Sequence, residues 1–153
     1  MLADLGNPTD WRYRAGAGWR YVWGGTFPSV QYAQAATDSD GKPYAGKNRY
    51  RIHFSKDQLI PARHWRITMY DNQGFMTDNP LHRYGIGNIG DALQYNKDGS
   101  VDLYFSPQAP QGMEKNWVKT IPGKGWFTAM RLYGPLQPIL DKTYKINDFE
   151  KVK

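Results

Sequence analysis

Residues 49–54 read Arg-Tyr-Arg-Ile-His-Phe, and this stretch decides the fold class. Tyr50, Ile52 and Phe54 alternate with basic residues, so a β-strand would turn the apolar side chains to one face and the charges to the other. A helix would scatter the same side chains around its surface. The stretch therefore predicts a strand with one face on the core and one face in water.

The same alternation recurs in other parts of the chain. Residues 64–70 and 101–105 repeat it, and residues 30–33 form a weaker candidate strand. Residues 126–133 carry apolar side chains on both faces, which is typical of a central strand covered on two sides. These patterns predict several short strands.

Turn-forming sequences separate the predicted strands. Residues 38–41, 71–74 and 96–99 each begin with Asp or Asn and end with a glycine that tolerates positive φ. Only residues 89–95 have the composition of a short helical turn. Short strands, regular turns and the lack of a long helical pattern predict an all-β, jelly-roll-like antiparallel β-sandwich.

The length and composition fit one soluble domain. The 153 residues include 15% aromatic residues, which argues against disorder. We expect the sandwich over residues 25–153 and an irregular, glycine-rich N-terminal arm over residues 1–24. The absence of Cys excludes disulfides and thiol nucleophiles. No membrane span or export signal is visible, so no membrane partner is expected, and the cytoplasm is only the default location.

The chain is basic, with a net charge of +6 and a pI near 9.5. Binding to nucleic acid would require clustered basic residues that neutralise phosphates, but here no two Lys or Arg residues are adjacent. The densest group, at residues 47–53, alternates in the manner of a solvated strand face. Nucleic acid is therefore not the expected partner, whereas a small anionic ligand stays open.

A series of short motifs is shared with a known family. The motifs are Asp-x-Asp-Gly-Lys-Pro at 38–43, Trp-Arg-Ile-Thr-Met-Tyr-Asp at 65–71, Asn-Pro at 79–80, Arg-Tyr-x-Ile-Gly at 83–87, Asn-Trp at 116–117 and Arg-Leu-Tyr-Gly-Pro at 131–135. In their order and spacing the chain resembles the domain of unknown function 1214 family from about Phe27 to Val152. The resemblance implies a jelly-roll sandwich, standing alone or as the C-terminal part of a longer protein. It implies no settled activity.

No assembled catalytic, metal or cofactor motif is present. Ser100 lies in a turn sequence rather than in a nucleophile elbow. The histidines lack zinc-ligand spacing, although a hairpin could bring His64 and His82 close to Asp78. The Gly-x-Gly-x-x-Gly at residues 85–90 has no βαβ context, so no dinucleotide cofactor is expected.

Paired carboxylates form the alternative enzyme hypothesis. Glycoside hydrolysis needs two carboxyl groups about 5–9.5 Å apart. The candidates are Asp71, Asp78, Asp91, Asp98, Asp102 and Glu114. Most of them fall in turn sequences, where Asp is common for structural reasons. We therefore assign no catalytic residue.

Aromatic and arginine side chains favour a binding function, because sugars stack on exposed aromatic rings and arginine pairs with anions. The candidate ligand-binding residues are Trp117, Asn116, Arg131, Tyr133, Tyr70, Asn79 and Arg83. We hypothesise a non-catalytic module that binds carbohydrate or a small anionic ligand without a cofactor. The alternatives are a homo-oligomeric structural protein, in which the arm exchanges between subunits, and a hydrolase with paired carboxylates.

Overall fold

A computed structural model of the protein describes residues 28–153. The arm predicted for residues 1–24 lies outside the described residues. The strands are β1 (Val30–Ala35), β2 (Arg49–Phe54), β3 (Ala62–Asp71), β4 (Gly85–Gly87), β5 (Val101–Ser106), β6 (Trp117–Lys119), β7 (Trp126–Pro135) and β8 (Glu150–Val152). The helix α1 spans Gln137–Leu140, and two 3₁₀ turns span Lys56–Gln58 and Glu114–Asn116. No helix within residues 28–153 is long and apolar enough to cross a membrane.

The strands form two four-stranded sheets. The first sheet has the order β1-β7-β3-β4 and the second has the order β6-β5-β2-β8. All neighbouring strands are antiparallel except β5 and β6, which are parallel. The predicted all-β sandwich is confirmed.

The core lies between the two sheets, where the alternating apolar residues meet. Tyr50, Ile52 and Phe54 of β2 are each at most 1% exposed, as their alternation predicts. Trp65 and Ile67 of β3 face them from the other sheet and are also buried. At about 25 cal/mol per Å² of buried apolar surface, this interleaving supplies the main driving force for the fold.

The three predicted turns are confirmed. Gly41, Gly74 and Gly99 have φ values of 74°, 89° and 85°, respectively, which only glycine adopts without strain. The helical turn expected at residues 89–95 is wrong, because this segment is irregular. The Asp91 carboxylate there accepts hydrogen bonds from the Gly87 N–H and the Arg66 guanidinium, so it holds the segment against β4 and β3.

β1 and β8 are edge strands of the first and the second sheet, respectively. The chain reaches β8 through α1 and then through residues 142–149, which run alongside β2. The Asn147 amide donates to the His53 carbonyl, and the Tyr144 hydroxyl donates to the Gln58 carbonyl 2.8 Å away. These bonds fix residues 142–149 as a wall that faces β1.

Candidate ligand-binding cleft

A cavity of about 620 Å³ opens between β1 and the wall formed by residues 142–149. We call it the inter-sheet cleft. Its volume lies within the range of about 300–1,000 Å³ that is typical of small-molecule sites. The cleft opens to solvent, so a ligand can reach it from the surface.

The floor of the inter-sheet cleft is apolar. Ile52, Ile67 and Met130 form its deepest part, and each is at most 4% exposed. Ala33 and Ala35 point toward them from β1, since they pair with Met130 and Thr128 of β7. The small alanine side chains leave open the space that larger residues on β1 would fill.

The rim of the inter-sheet cleft is polar and charged. Lys142, Lys145 and Asp148 line it and are exposed to solvent. Tyr144 lies between the two lysines, and burial raises the pKa of its hydroxyl to about 12. The hydroxyl is therefore protonated at neutral pH, and it serves to anchor the wall.

The acidic end of the wall lies near Tyr44. Burial raises the pKa of Tyr44 well above its usual range, and the negative charges of Asp148 and Asp38 raise it further. The Ser39 N–H donates to the Phe149 carbonyl and so joins this end of the wall to the turn after β1. Lys142 lies two residues after α1, and Lys145 lies midway along the wall. The rim of the cleft thus carries both lysines and an aspartate.

Three of the sequence-predicted residues lie on the outer face of the first sheet. The Arg131 guanidinium donates to the Tyr70 hydroxyl at 2.8 Å and to the Thr68 hydroxyl at 3.3 Å. Tyr133 stacks on His64 with ring centroids 5.1 Å apart. Arg131 therefore has hydroxyl partners within the sheet, and its hydrogen bonds do not involve Asn116 or Asp71.

Asn116 is fully buried and forms three hydrogen bonds to the backbone. Its amide nitrogen donates to the carbonyls of Gln94 and Asp102, and its amide oxygen accepts from the Gln94 N–H. These bonds tie the irregular segment 91–95 to β5. The amide has no free side that faces a surface ligand.

Asn79 and Arg83 also form contacts within the chain. The Asn79 amide bonds to three backbone groups of residues 77–83 and closes that loop. The Arg83 guanidinium donates to the carbonyls of Glu114 and Lys115 and lies 3.5 Å from Asp91. Through these contacts Arg83 links Asp91, which follows β4, to the 3₁₀ turn before β6.

Trp117 lies on the outer face of the second sheet, at the outer strand β6. Its indole N–H donates to the Ser106 carbonyl at 2.9 Å, and the Lys119 ammonium lies 5.8 Å from the ring centroid. Tyr104 pairs with Trp117 across the strands. We call this group the Trp117 patch. The seven predicted residues are therefore spread over different faces of the molecule and do not form one site.

A polar network lies on the same outer face. The Asp102 carboxylate bonds to His53 Nδ1 and to the Asn96 amide, both at 2.8 Å, and lies 3.7 Å from the Arg51 guanidinium. The Ser100 hydroxyl donates to Asp98 rather than to His53. The geometry of a serine nucleophile activated by histidine is therefore absent from this network.

Two other acidic candidates, Asp71 and Asp98, stabilise turns. Asp71 accepts backbone hydrogen bonds in its turn, and the Ser100 hydroxyl and N–H hold the pKa of Asp98 below its usual range. No group of three His, Cys, Asp or Glu within residues 28–153 could hold a metal ion, so His64, His82 and Asp78 do not meet in such a group.

The glycines of the 85–90 motif have a structural role. A side chain on Gly85 or Gly87 would collide with the carbonyl oxygens of Ile67 or Trp65 on β3. Glycine therefore permits the close approach of β4 to β3, and this accounts for the motif without a phosphate ligand.

Sequence reasoning did not identify the inter-sheet cleft. The available signals were the paired alanines at 33 and 35, where the other predicted strands carry large apolar residues, and the two lysines before the last strand. Neither signal specifies that β1 and residues 142–149 lie opposite each other. That arrangement depends on contacts between opposite ends of the described chain.

Comparisons with known proteins give a matching family model and one solved structure that supports the fold. A family model described as protein of unknown function (DUF1214) matches residues 29–137 and confirms the resemblance seen in the sequence. The crystal structure of the VPA0106 protein from Vibrio parahaemolyticus is similar, with a TM-score of 0.73 and 25% identity over 91% of this chain. An uncharacterised protein from Burkholderia cenocepacia has a TM-score of 0.47 and 16% identity over 80% of this chain.

The chain is much shorter than these solved structures. It spans 34% of the Vibrio protein's chain and 29% of the Burkholderia protein's chain. A comparison with curated proteins finds no match. The comparisons thus give a fold and a family without an activity.

Proposed function

The chain belongs to the DUF1214 family of proteins of unknown function, and we propose that this domain is a non-catalytic module that binds a small ligand in the inter-sheet cleft. The observation that carries the proposal is the open cavity of about 620 Å³ above a floor of buried apolar side chains. Apolar floors with a few polar groups at the rim are typical of ligand sites.

The chemistry at the cleft favours binding over catalysis. Its ionisable rim groups are Lys142, Lys145 and Asp148, all of which are exposed to water. The Tyr144 hydroxyl is engaged by the Gln58 carbonyl. General acid–base catalysis requires a group that lies within hydrogen-bond reach of the reacting atom and has a pKa near the working pH. Enzymes usually obtain such a pKa by removing the group partly from water. The rim supports orientation of a ligand better than it supports proton transfer.

A neutral, apolar fluorescent probe tests this proposal. N-Phenyl-1-naphthylamine, whose emission rises in apolar surroundings, is titrated into the full chain. We expect saturable binding that weakens at least tenfold in the Ala33→Ile/Ala35→Ile variant, because isoleucines on β1 fill the cleft. Ala36→Ile is the matched control, since Ala36 is exposed and outside the cleft lining. Absence of saturable binding, or equal binding by the filled variant, would overturn the proposal.

Carbohydrate binding at the Trp117 patch is a second candidate. The hydrogen bond from the Trp117 indole to the Ser106 carbonyl fixes the orientation of a half-exposed ring, and a fixed aromatic face favours sugar stacking. A glycan panel monitored by tryptophan fluorescence tests it. A response that Trp117→Ala removes would support this candidate, whereas no response to any glycan would exclude those sugars as ligands.

The homo-oligomer alternative rests on residues 1–24, which are outside the described residues. Light scattering of the full chain and of a chain without residues 1–24 tests it. A defined oligomer that requires these residues would favour assembly, and monomers in both samples would exclude the arm as the assembly element.

A further inference from the structure

The rim of the inter-sheet cleft distinguishes between classes of ligand. Lys142 and Lys145 line the wall, and neither is within ion-pair distance of a carboxylate of residues 28–153. Asp148 follows Lys145 by three residues and lies near Tyr44, and the exposed Asp141 directly precedes Lys142 outside the cleft lining. The cleft therefore offers two lysines that form no ion pair with the described residues, and one aspartate.

The floor is mainly apolar, although Gln34, Thr128 and Asn147 also line the cleft. Ala33, Ile52 and Met130 contribute only hydrocarbon or thioether surface. A fully polar ligand would lose its hydration over these three side chains, which offer it no hydrogen bonds. An apolar body is required for the floor, and a charged head fits the rim.

The sign of the charge follows from the lysines and from the whole chain. The rim carries two lysines against one aspartate, and the protein has a net charge of +6. The field of such a protein raises the local concentration of anions and lowers that of cations. Both effects favour a negatively charged head group, and Lys142 and Lys145 are the cationic groups of the lining that it would contact.

We infer that the ligand of the inter-sheet cleft is an amphipathic organic anion, such as a single alkyl chain with a carboxylate head. The alkyl chain lies over Ala33, Ile52 and Met130, and the head group lies against Lys142 and Lys145. The inference rests on the proposed function, since it specifies the class of ligand for the same cleft.

Displacement of N-phenyl-1-naphthylamine from the full chain tests the inference. The competitors are decanoate, decanol and decyltrimethylammonium, which share an alkyl chain and differ in charge. We expect decanoate to displace the probe at concentrations at least fivefold lower than decanol, corresponding to about 1 kcal/mol from a solvent-exposed charge pair. Decyltrimethylammonium is expected to be the weakest competitor. Shortening decanoate to octanoate weakens binding by about fourfold for each methylene that leaves the floor.

Charge-removing variants locate the head group. Lys142→Gln/Lys145→Gln is expected to abolish the preference for decanoate over decanol and leave decanol binding unchanged. Lys151→Gln is the matched control, because it removes a lysine charge on β8 outside the cleft lining. The preference for decanoate over decanol should also decrease in 1 M salt, because the Debye screening length there is only about 3 Å.

The outcomes separate this inference from the proposed function. If the probe binds and decanol competes as well as decanoate, the cleft binds ligands but the anion inference is overturned. The same holds if the decanoate preference persists in Lys142→Gln/Lys145→Gln. If the probe does not bind to the wild-type chain, the proposed function itself fails and the inference fails with it.

Discussion

Replacement of Asn116 by alanine should lower the free energy of unfolding, and this effect should not depend on a ligand. The Asn116 side chain forms three hydrogen bonds, at 2.6, 2.8 and 2.9 Å, with the backbones of Gln94 and Asp102, and the residue is 0% exposed. Each such bond contributes about 1 kcal/mol net. The truncation leaves backbone groups without partners in a buried site, so the expected loss is about 3 kcal/mol.

Urea denaturation monitored by tryptophan fluorescence measures this loss directly. A loss of about 3 kcal/mol also lowers the melting temperature of a domain of this size by about 6–12 °C. Asn88→Ala is the matched control. Asn88 also bonds to two backbone groups, the Trp65 N–H and the Arg63 carbonyl, but it is exposed, so that water replaces the lost amide. We expect this control to lose less than about 1 kcal/mol.

The comparison of the two asparagine variants can refute the reasoning. If Asn116→Ala loses no more stability than Asn88→Ala, the buried amide does not hold the segment 91–95 to β5. If Asn116→Ala keeps its stability but loses ligand binding, the residue is a ligand contact, as the sequence suggested.

Three further predictions concern other parts of the sandwich. Gly87→Ala should destabilise the protein by about 1–3 kcal/mol in urea denaturation, because the added carbon forces β4 away from β3. The free energy of unfolding should fall as the pH rises from 10 to about 12, because Tyr144 ionises at a higher pH in the folded chain than in the unfolded chain. Denaturation curves measured across that range should show a smaller dependence of this free energy on pH for Tyr144→Phe. Tyr44→Phe should leave stability unchanged or raise it by up to about 1 kcal/mol in thermal melts, because it removes a buried hydroxyl that has no hydrogen-bond partner in the described part of the chain.

The fold could be predicted because its main determinant is local. In β2, each of Tyr50, Ile52 and Phe54 is buried, and the basic residues between them are only partly covered. A period-two pattern specifies both the strand and the face that meets the core. The turn glycines add the chain reversals, since their positive φ is encoded in the residue type itself.

The errors arose where distant residues determine local structure. Residues 89–95 have the composition of a helical turn, but Asp91 bonds to Arg66 of β3 and holds the segment in an irregular path. The helix α1 has only four residues, so no helical periodicity could reveal it. The partners of Asp91 come from another strand and cannot be found within a local sequence window.

The candidate site was harder to predict than the fold, for a related reason. A sequence cannot distinguish an amide that binds a ligand from one that is used internally, and Asn116 and Asn79 are of the second kind. Arg131 was named as a candidate ligand-binding residue, but its guanidinium bonds to the hydroxyl groups of Thr68 and Tyr70. The inter-sheet cleft depends on small residues in β1, and an alanine in a weak strand pattern carries little signal by itself.

The alanines of β1 leave space in the inter-sheet cleft, and two measured effects of filling that space test whether it serves a ligand. Ala33→Ile and Ala35→Ile each add three carbons over the apolar floor, which at about 0.8 kcal/mol per carbon would stabilise the domain by up to about 2 kcal/mol per site. Replacements that raise stability and lower activity are typical of functional sites. We therefore expect the double variant to melt at a higher temperature than the wild type and to lose probe binding, while Ala36→Ile changes neither. A double variant that is less stable than the wild type would show that the space above Ile52 and Met130 is too narrow for larger side chains, and the argument that the alanines keep a ligand site open would fail.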